Sequence, residues 1–406
     1  MIPEAYRTDH LLLLVGTNPL PNLVAAELLL KENGTLYLVY STETAPVADN
    51  LKKYLLARYK VQLLPAVKAT DAQDIETTLE KLVRGLAGSI GLHYTGGTKA
   101  MAVHAYRAVE KARGGKTPAP VFSYLDATTF ELRVDPAYHE KVLLEVKPTL
   151  RELVALHGNP LRPRLPDKTT ILLPAAIALA QAAPGGGLRV WRDWCDKILR
   201  QDQIHTGRDW RGNTILKGVT LSWPDDPILN EVVATLKSEL GLSLMAKDLP
   251  LSVVQLPRGL QDLKHLCKWL DGEWLEHYVL AQVEAVADQC GVHDYGMTLK
   301  TDEKQAADFR FEFDVAAIRG YQLFGISCTT SSDKSLVKSK LFEAFIRARQ
   351  LGGDEARVGL VCGYTDPHSL EQELSQSWDA QGKIKVFGAD DLPDLAEKLA
   401  AWFQTA

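Results

Sequence analysis

A chain of 406 residues, 46% hydrophobic and 24% charged, has the composition of a globular protein and the length of two or three domains. Its formal net charge of −5 excludes a global basic field, so any contact with nucleic acid must come from a local patch. The five cysteines are scattered without a Cys-x-x-Cys pair, which argues against zinc and against a disulfide framework, and for a reducing compartment.

Taken in order, the N-terminus carries charges where a signal peptide needs an apolar segment. The apolar stretch 170–183 is too short to span a bilayer. A cytoplasmic protein with no membrane partner is expected. An apolar run over 10–15 predicts a buried strand, followed by the turn Gly16-Thr17-Asn18-Pro19 and a helix over 23–31. A second strand over 35–40 ends in Ser41-Thr42-Glu43-Thr44, and a helix with Val47, Leu51, Tyr54 and Leu55 follows. A short strand over 61–64 and a helix over 72–86 lead to the apolar run 90–94. Next come the turn Thr95-Gly96-Gly97-Thr98-Lys99 and a helix with Met101, Ala105, Tyr106 and Val109 on one face. A hairpin over 121–125 and 130–134 closes the unit.

Alternating buried strands and amphipathic helices predict an α/β fold with a mostly parallel, doubly wound sheet. Ligands of such sheets bind beyond the carboxyl ends of the strands. Gly16–Asn18, Ser41–Thr44 and Thr95–Lys99 all lie at such ends, so they are expected to converge. Two glycines let backbone approach a ligand, Thr98 is placed to cap a helix whose N-terminus favours an anion, and Lys99 adds a charge. The spacing is not that of a Walker loop, and a purely structural turn is the competing reading. Hydroxyls, amides and one lysine without a nucleophile–base pair suggest a sensor, and cleavage of the ligand at this site ranks last.

Gly-Thr-Asn-Pro after the first strand and Thr-Gly-Gly-Thr-Lys-Ala-Met after a later one resemble the CARF domain, the Rossmann-fold sensor of cyclic oligoadenylates in CRISPR defence. That resemblance covers residues 1–147. It implies a homodimer with one ring-shaped ligand, usually tetra-adenylate, across the two-fold axis. By the same resemblance Gly16, Thr17, Asn18, Ser41, Thr42, Thr95, Gly96, Gly97, Thr98 and Lys99 form the ligand site.

From 148 the pattern changes. A helix with Leu153, Val154 and Leu156 reads as an exit linker, and 160–166 as an irregular boundary. Residues 168–260 read as a mixed middle module with an apolar helix near 171–182 and strands around 214–223. Trp191 and Trp194 are read as core, and Arg192, Lys197, Arg200, Arg208, Arg211 and Lys217 as solvated charges. Residues 263–406 predict a second α/β unit. It has a helix opened by Gly272-Glu273-Trp274-Leu275-Glu276, strands over 309–318 and 322–328, and a helix over 335–351 stopped by Gly352-Gly353. Strands over 358–362 and 383–387 and a terminal helix over 392–403 complete it.

Glu276 on the opening helix and Glu312 and Asp314 on one strand face are the oxygen ligands that a Mg²⁺ or Mn²⁺ site requires. Solvated strand charges are the bland alternative. The order helix Glu, hairpin Asp, then Ile-Ser-Cys-Thr-Thr is similar to the PD-(D/E)xK restriction-endonuclease-like core. Joined to a CARF domain, it resembles the CRISPR ancillary nucleases, which cut RNA or DNA. That resemblance implies Glu276 and Asp314 as metal ligands. The family's Glu-x-Lys is replaced here by Ser327-Cys328-Thr329. Lys334, Lys338 or Lys340 is expected to supply the lost cation, and Glu343 the lost carboxylate. Otherwise the domain is a degenerate fold that only binds nucleic acid or a partner. His277 is read as a partly exposed histidine, His293 as a loop residue and Cys328 as core.

Overall fold

The computed structural model describes residues 2–158, 161, 165–300 and 312–405. The N-terminal unit runs β1 (Thr8–Leu14), α1 (Leu20–Leu29), β2 (Leu30–Val39), α2 (Ala45–Leu55), β3 (Lys60–Leu63) and α3 (Ala72–Gly85). It continues with β4 (Ile90–His93), α4 (Lys99–Arg113), β5 (Val121–Leu125), β6 (Glu131–Val134) and β7 (Tyr138–Lys141). The strand order is β3-β2-β1-β4-β5-β6-β7, parallel from β3 to β5 and antiparallel at β5-β6-β7. The doubly wound sheet expected from sequence is present, with β7 as an extra edge strand that its short, charged sequence Tyr-His-Glu-Lys did not announce.

Both faces of β1 are covered, which explains its unbroken apolar run. Leu12 and Leu14 face a core with α3 and α4, whereas Leu11, Leu13 and Val15 face α1 and α2. That second core does not stop at the unit's edge. It runs on through α5 (Leu150–Leu156) into residues of the C-terminal unit, such as Ile318, Leu323, Val337 and Leu341.

The middle segment is mainly helical, with α6 (Leu173–Ala182), α7 (Gly187–Trp194), α8 (Asn213–Leu216) and α9 (Asn230–Glu239), and the short pair β8 (Thr220–Ser222) and β9 (Asp248–Pro250). The strands expected around 214–223 therefore reduce to β8, because Asn213–Leu216 turns as a helix ahead of it. Of the irregular boundary 160–166, only residues 161, 165 and 166 are described.

The C-terminal unit comprises α10 (Leu263–Lys268), α11 (Trp274–Cys290), β10 (Val292–Lys300), β11 (Glu312–Arg319), β12 (Gln322–Thr329) and α12 (Lys334–Gly352). Then follow β13 (Arg357–Cys362), α13 (Pro367–Ser377), β14 (Ile384–Phe387) and α14 (Leu395–Gln404). Its sheet order is β10-β11-β12-β13-β14, antiparallel for the first three strands and parallel for the last three. Residues 309–311 of the expected strand lie outside the described residues. His293, expected in a loop, lies in β10, where its Nε2 is 3.0 Å from the Pro148 carbonyl. One face of this sheet packs on α12. The other packs on α11, α14 and the middle helices in one continuous core that contains Trp191, Trp194 and Cys328. The tryptophans are core, as expected, and all five cysteines are free and buried.

Candidate functional site

The N-terminal candidate is built almost entirely from backbone. Gly16, two residues beyond β1, lies beside the turn that follows β4, and the two segments touch main chain to main chain. A Cβ on Gly96 would lie 2.1 Å from the Leu14 carbonyl oxygen, and one on Gly16 would lie 3.0 Å from the Gly97 nitrogen. Gly97 has φ +76°, the left-handed region that favours glycine. Thr95 Oγ1 accepts from the Leu125 amide at 2.6 Å, and Thr98 Oγ1 caps α4 by accepting from the Met101 amide at 3.2 Å. The first turns of α1 and α4 both open at this point. In α1 the Leu20 amide is taken by Asn18 Oδ1 at 3.0 Å and Pro21 has none, so the helix start that favours an anion is that of α4.

Gly16, Thr17, Asn18, Thr95, Gly96 and Gly97 line one cavity of about 310 Å³. The rest of the expected ligand set lies outside that lining. Ser41 is buried in its own turn, with its amide donating to Thr44 Oγ1 at 3.1 Å, and Thr42 is exposed. Thr98 donates to the Ala69 carbonyl at 3.0 Å, and Lys99 is exposed on the first turn of α4.

Sequence reasoning missed the far wall of the cavity. It is made by Arg349, Gly353, Asp354 and Glu355 from the end of α12 and the turn after it. Asn18 sits so close to Gly353, which has φ +68°, that a Cβ there would lie 2.1 Å from Asn18 Nδ2. Burial raises the Glu355 carboxyl to about 7, and Arg349 Nη2 pairs with Asp354 Oδ1 at 2.7 Å.

The C-terminal candidate is built from side chains. α10 passes through a π-helical turn, Trp269–Glu273, into α11, which places Glu273 and Glu276 three residues apart on one face. Asp314 projects from β11, and its Oδ2 accepts from Ser327 Oγ at 2.9 Å and from the Cys328 amide at 2.6 Å. Burial raises the carboxyls of both Glu276 and Asp314. The Asp314 and Glu273 charges push Glu276 further in the same direction, while Lys340 opposes it. Burial also raises Glu273. Glu312 lies close enough to add to the repulsion on both Glu276 and Asp314. Glu273, Glu276, Glu312 and Asp314 form an acidic cluster, with Lys300 paired to Glu312 at 3.4 Å and Lys268 acting on Glu273.

The cation that acts on both Glu276 and Asp314 is Lys340, whose Nζ donates to the Cys328 carbonyl at 3.3 Å. Lys334 and Lys338 do not reach the cluster, because Glu373 on α13 holds both, Lys334 at 2.9 Å. Glu343 does not either. Three residues on from Lys340, it lies about 60° further round α12 from the buried face and is exposed. Thr329 turns into its own loop, its Oγ1 accepting from the Ser331 amide at 3.3 Å. His277, expected to be partly exposed, is buried. Its Nδ1 accepts from the Ile171 amide at 3.3 Å, and burial pulls its pKa down to about 4. Among the described residues no three acidic, histidine or cysteine side chains are gathered tightly enough to hold a metal unaided.

Residues 263–406 match the family model described as Card1-like, endonuclease domain. The C-terminal unit is similar to that family over its whole length. No curated protein matches the chain significantly. In fold the chain is similar to the crystal structure of protein VC1899 from Vibrio cholerae, at 16% identity and TM-score 0.69, covering 97% of this chain and 98% of that one. It is equally similar to Can2 from Sulfobacillus thermosulfidooxidans in complex with cyclic tetra-adenylate, at 13% identity and TM-score 0.69, covering 98% and 97%. A type III CRISPR defence DNA nuclease activated by cyclic oligoadenylate gives 17% identity and TM-score 0.50, and the match covers 91% of this chain but 52% of that one. The resemblance drawn from sequence, a CARF-type unit joined to a CRISPR-associated nuclease domain, rests on this domain match and shared fold. Among the described residues no helix is long and apolar enough to cross a membrane.

Proposed function

We propose that this protein is a metal-dependent endonuclease of CRISPR defence, working as a homodimer in the cytoplasm and switched on by a cyclic oligoadenylate, tetra-adenylate by preference. The observation that carries the reading is Lys340. The strand position that the family gives to lysine holds Thr329, yet an ammonium group from α12 reaches the same strand end, at the Cys328 carbonyl beside Asp314. The charge has moved to another element while its place in the site is kept.

The donor set suits Mg²⁺ or Mn²⁺. Glu276 and Asp314 are enclosed carboxylates that repel each other, and a hard cation with water completing its shell relieves that repulsion. Such an ion, when bound, activates water and offsets charge on the attacked phosphate. Ser327 and the Cys328 amide fix one Asp314 oxygen and so set the direction of the other. Lys340 then offers a proton donor and positive charge next to the reacting phosphate.

The N-terminal cavity supplies the switch. The α4 N-terminus and the glycine turn suit the phosphates of the ring. The end of α12 forms the opposite wall, so a ligand there touches the helix that carries Lys340. A ligand with different affinity for two placements of α12 would shift their populations.

The test combines cyclic tetra-adenylate, Mn²⁺ and labelled single-stranded RNA, single-stranded DNA or supercoiled plasmid. Ligand-dependent cutting is expected, and Asp314→Ala is expected to reduce it at least ~10³-fold with the fold intact. A second reading is favoured by the loss of the Glu-x-Lys residues and the absence, among the described residues, of a tight three-ligand group: a sensor whose C-terminal domain binds nucleic acid or a partner without cutting. Tight ligand binding without cleavage of any substrate would select it.

A further inference from the structure

The acidic cluster gathers four carboxylates, and the lysines that act on it, Lys340, Lys300 and Lys268, do not outnumber them, while a polyanionic substrate has to approach it. A further cation at the rim favours that approach, and the middle segment holds one in place. α7 packs over the ends of β12 and β13. A Cβ on Gly363, just beyond β13, would lie 3.2 Å from the Leu188 side chain and 2.5 Å from the Thr330 carbonyl. One turn further along α7, Arg192 Nη1 donates to Thr330 Oγ1 at 2.9 Å. Thr330 is the residue after Thr329. Its hydroxyl also lies 3.7 Å from the Cβ position of Gly272, the neighbour of Glu273. Arg192 thus stands beside the strand end and the helix start that form the cluster.

Three other basic groups of this segment are committed elsewhere. Arg200 grips Asp271 through two bonds, at 2.8 and 3.0 Å, Lys197 pairs with Asp193 at 3.5 Å, and Arg211 donates to the Asp202 carbonyl. Arg192 has one neutral hydrogen bond and a long contact of 3.9 Å to Asp196, a carboxylate that Arg200 already holds at 2.9 Å. Its side chain keeps 24% exposure, and the bond to Thr330 uses one of its five donors. A guanidinium fork suits phosphate oxygens better than a point charge does.

Building on the nuclease reading, we infer that Arg192 binds a backbone phosphate of the nucleic-acid substrate next to the scissile bond, so that the middle segment is part of the endonuclease site. Thr330 is the residue that positions it.

The test measures KM and kcat with the full-length protein, and binding of labelled RNA and DNA against salt in an Asp314→Asn background. Arg192→Ala is expected to raise KM about tenfold and to lower the salt slope of binding by about one, at unchanged melting temperature and unchanged binding of cyclic tetra-adenylate. Arg192→Lys should restore the slope but only part of KM, and Thr330→Val should give a smaller rise in KM. Unchanged KM and slope in Arg192→Ala would overturn the inference. So would a loss that follows a lowered melting temperature and is not rescued by lysine. If the wild type binds nucleic acid but does not cut it, the nuclease reading fails and the salt slope alone decides Arg192. If it binds none of the substrates, the inference falls with it.

Discussion

The N-terminal cavity and the C-terminal acidic cluster are built in opposite ways. The first is lined mainly by main chain near the start of α4, and its glycines are fixed by contact with a neighbouring main chain. The second is made of side chains from α11, β11 and α12, and its carboxylates repel one another. Backbone sites tolerate side-chain replacement but not the loss of a glycine. Side-chain sites can trade a residue on one element for a residue on another, provided the charge returns to the same point. Under the proposed function, Lys340 in place of a strand lysine is such a trade.

The largest effect that would break this comparison is at α12. Lys340→Ala is expected to lower kcat about a hundredfold, while Glu343→Ala and Lys334→Ala change it by less than about twofold. Steady-state cleavage with saturating ligand and Mn²⁺ measures all three. If Lys334→Ala proves as damaging as Lys340→Ala, its pairing with Glu373 does not describe the working site, and the charge has not moved to Lys340.

The same contrast explains what the sequence made legible. The glycine turn is contiguous, so Thr95 to Lys99 could be read as one local object, as could the alternation of apolar strands and amphipathic helices around it. Glu276 and Asp314 were visible because each sits at a characteristic place in its own element. Lys340 stood only as one of three lysines, because choosing among them depends on Glu373, a residue on a separate helix that draws Lys334 and Lys338 away. Glu273 was passed over although its spacing from Glu276 is helical. Arg192 could not be separated from its basic neighbours, since its distinction is a contact with Thr330 across 138 positions. The far wall of the ligand cavity was illegible for the same reason: Gly353–Glu355 meets Asn18 only after two units share a core.

A second, smaller test pairs two residues of the glycine turn. Gly96→Ala places a methyl group 2.1 Å from a main-chain oxygen, so it should cost about 2 kcal/mol or more of stability and lose ligand binding as well. Lys99→Ala leaves the main chain untouched and should weaken cyclic tetra-adenylate by about tenfold without moving the melting temperature. Calorimetric titration and thermal unfolding of the two variants separate these effects. Equal ligand affinity for Lys99→Ala and wild type would restrict the anion site to the amides.

The smallest expected effect lies at the seam between the two units, where two titratable groups respond to acid with opposite signs. His157 Nε2 sits 2.8 Å from the Leu351 carbonyl, and burial lowers its pKa to about 4. Its contribution to stability is complete above about pH 6.5 and is lost as pH falls towards 4, because the unfolded chain takes up a proton that the folded chain refuses. Glu355 behaves in reverse. Its folded pKa is raised to about 7, so its contribution is complete below about pH 4.5 and is lost as pH rises to 7. Each effect is at most about 1.4 kcal/mol per pH unit, and in wild type the two largely cancel between pH 6.5 and 4.5. His157→Gln should therefore lose less stability than wild type on acidification over that range, and Glu355→Gln should lose more, as read from melting temperatures. Parallel curves for all three proteins would mean that water reaches the seam freely and that neither group is held in its buried state. The wall shared by ligand cavity and α12 would then be looser than the contact between Asn18 and Gly353 implies.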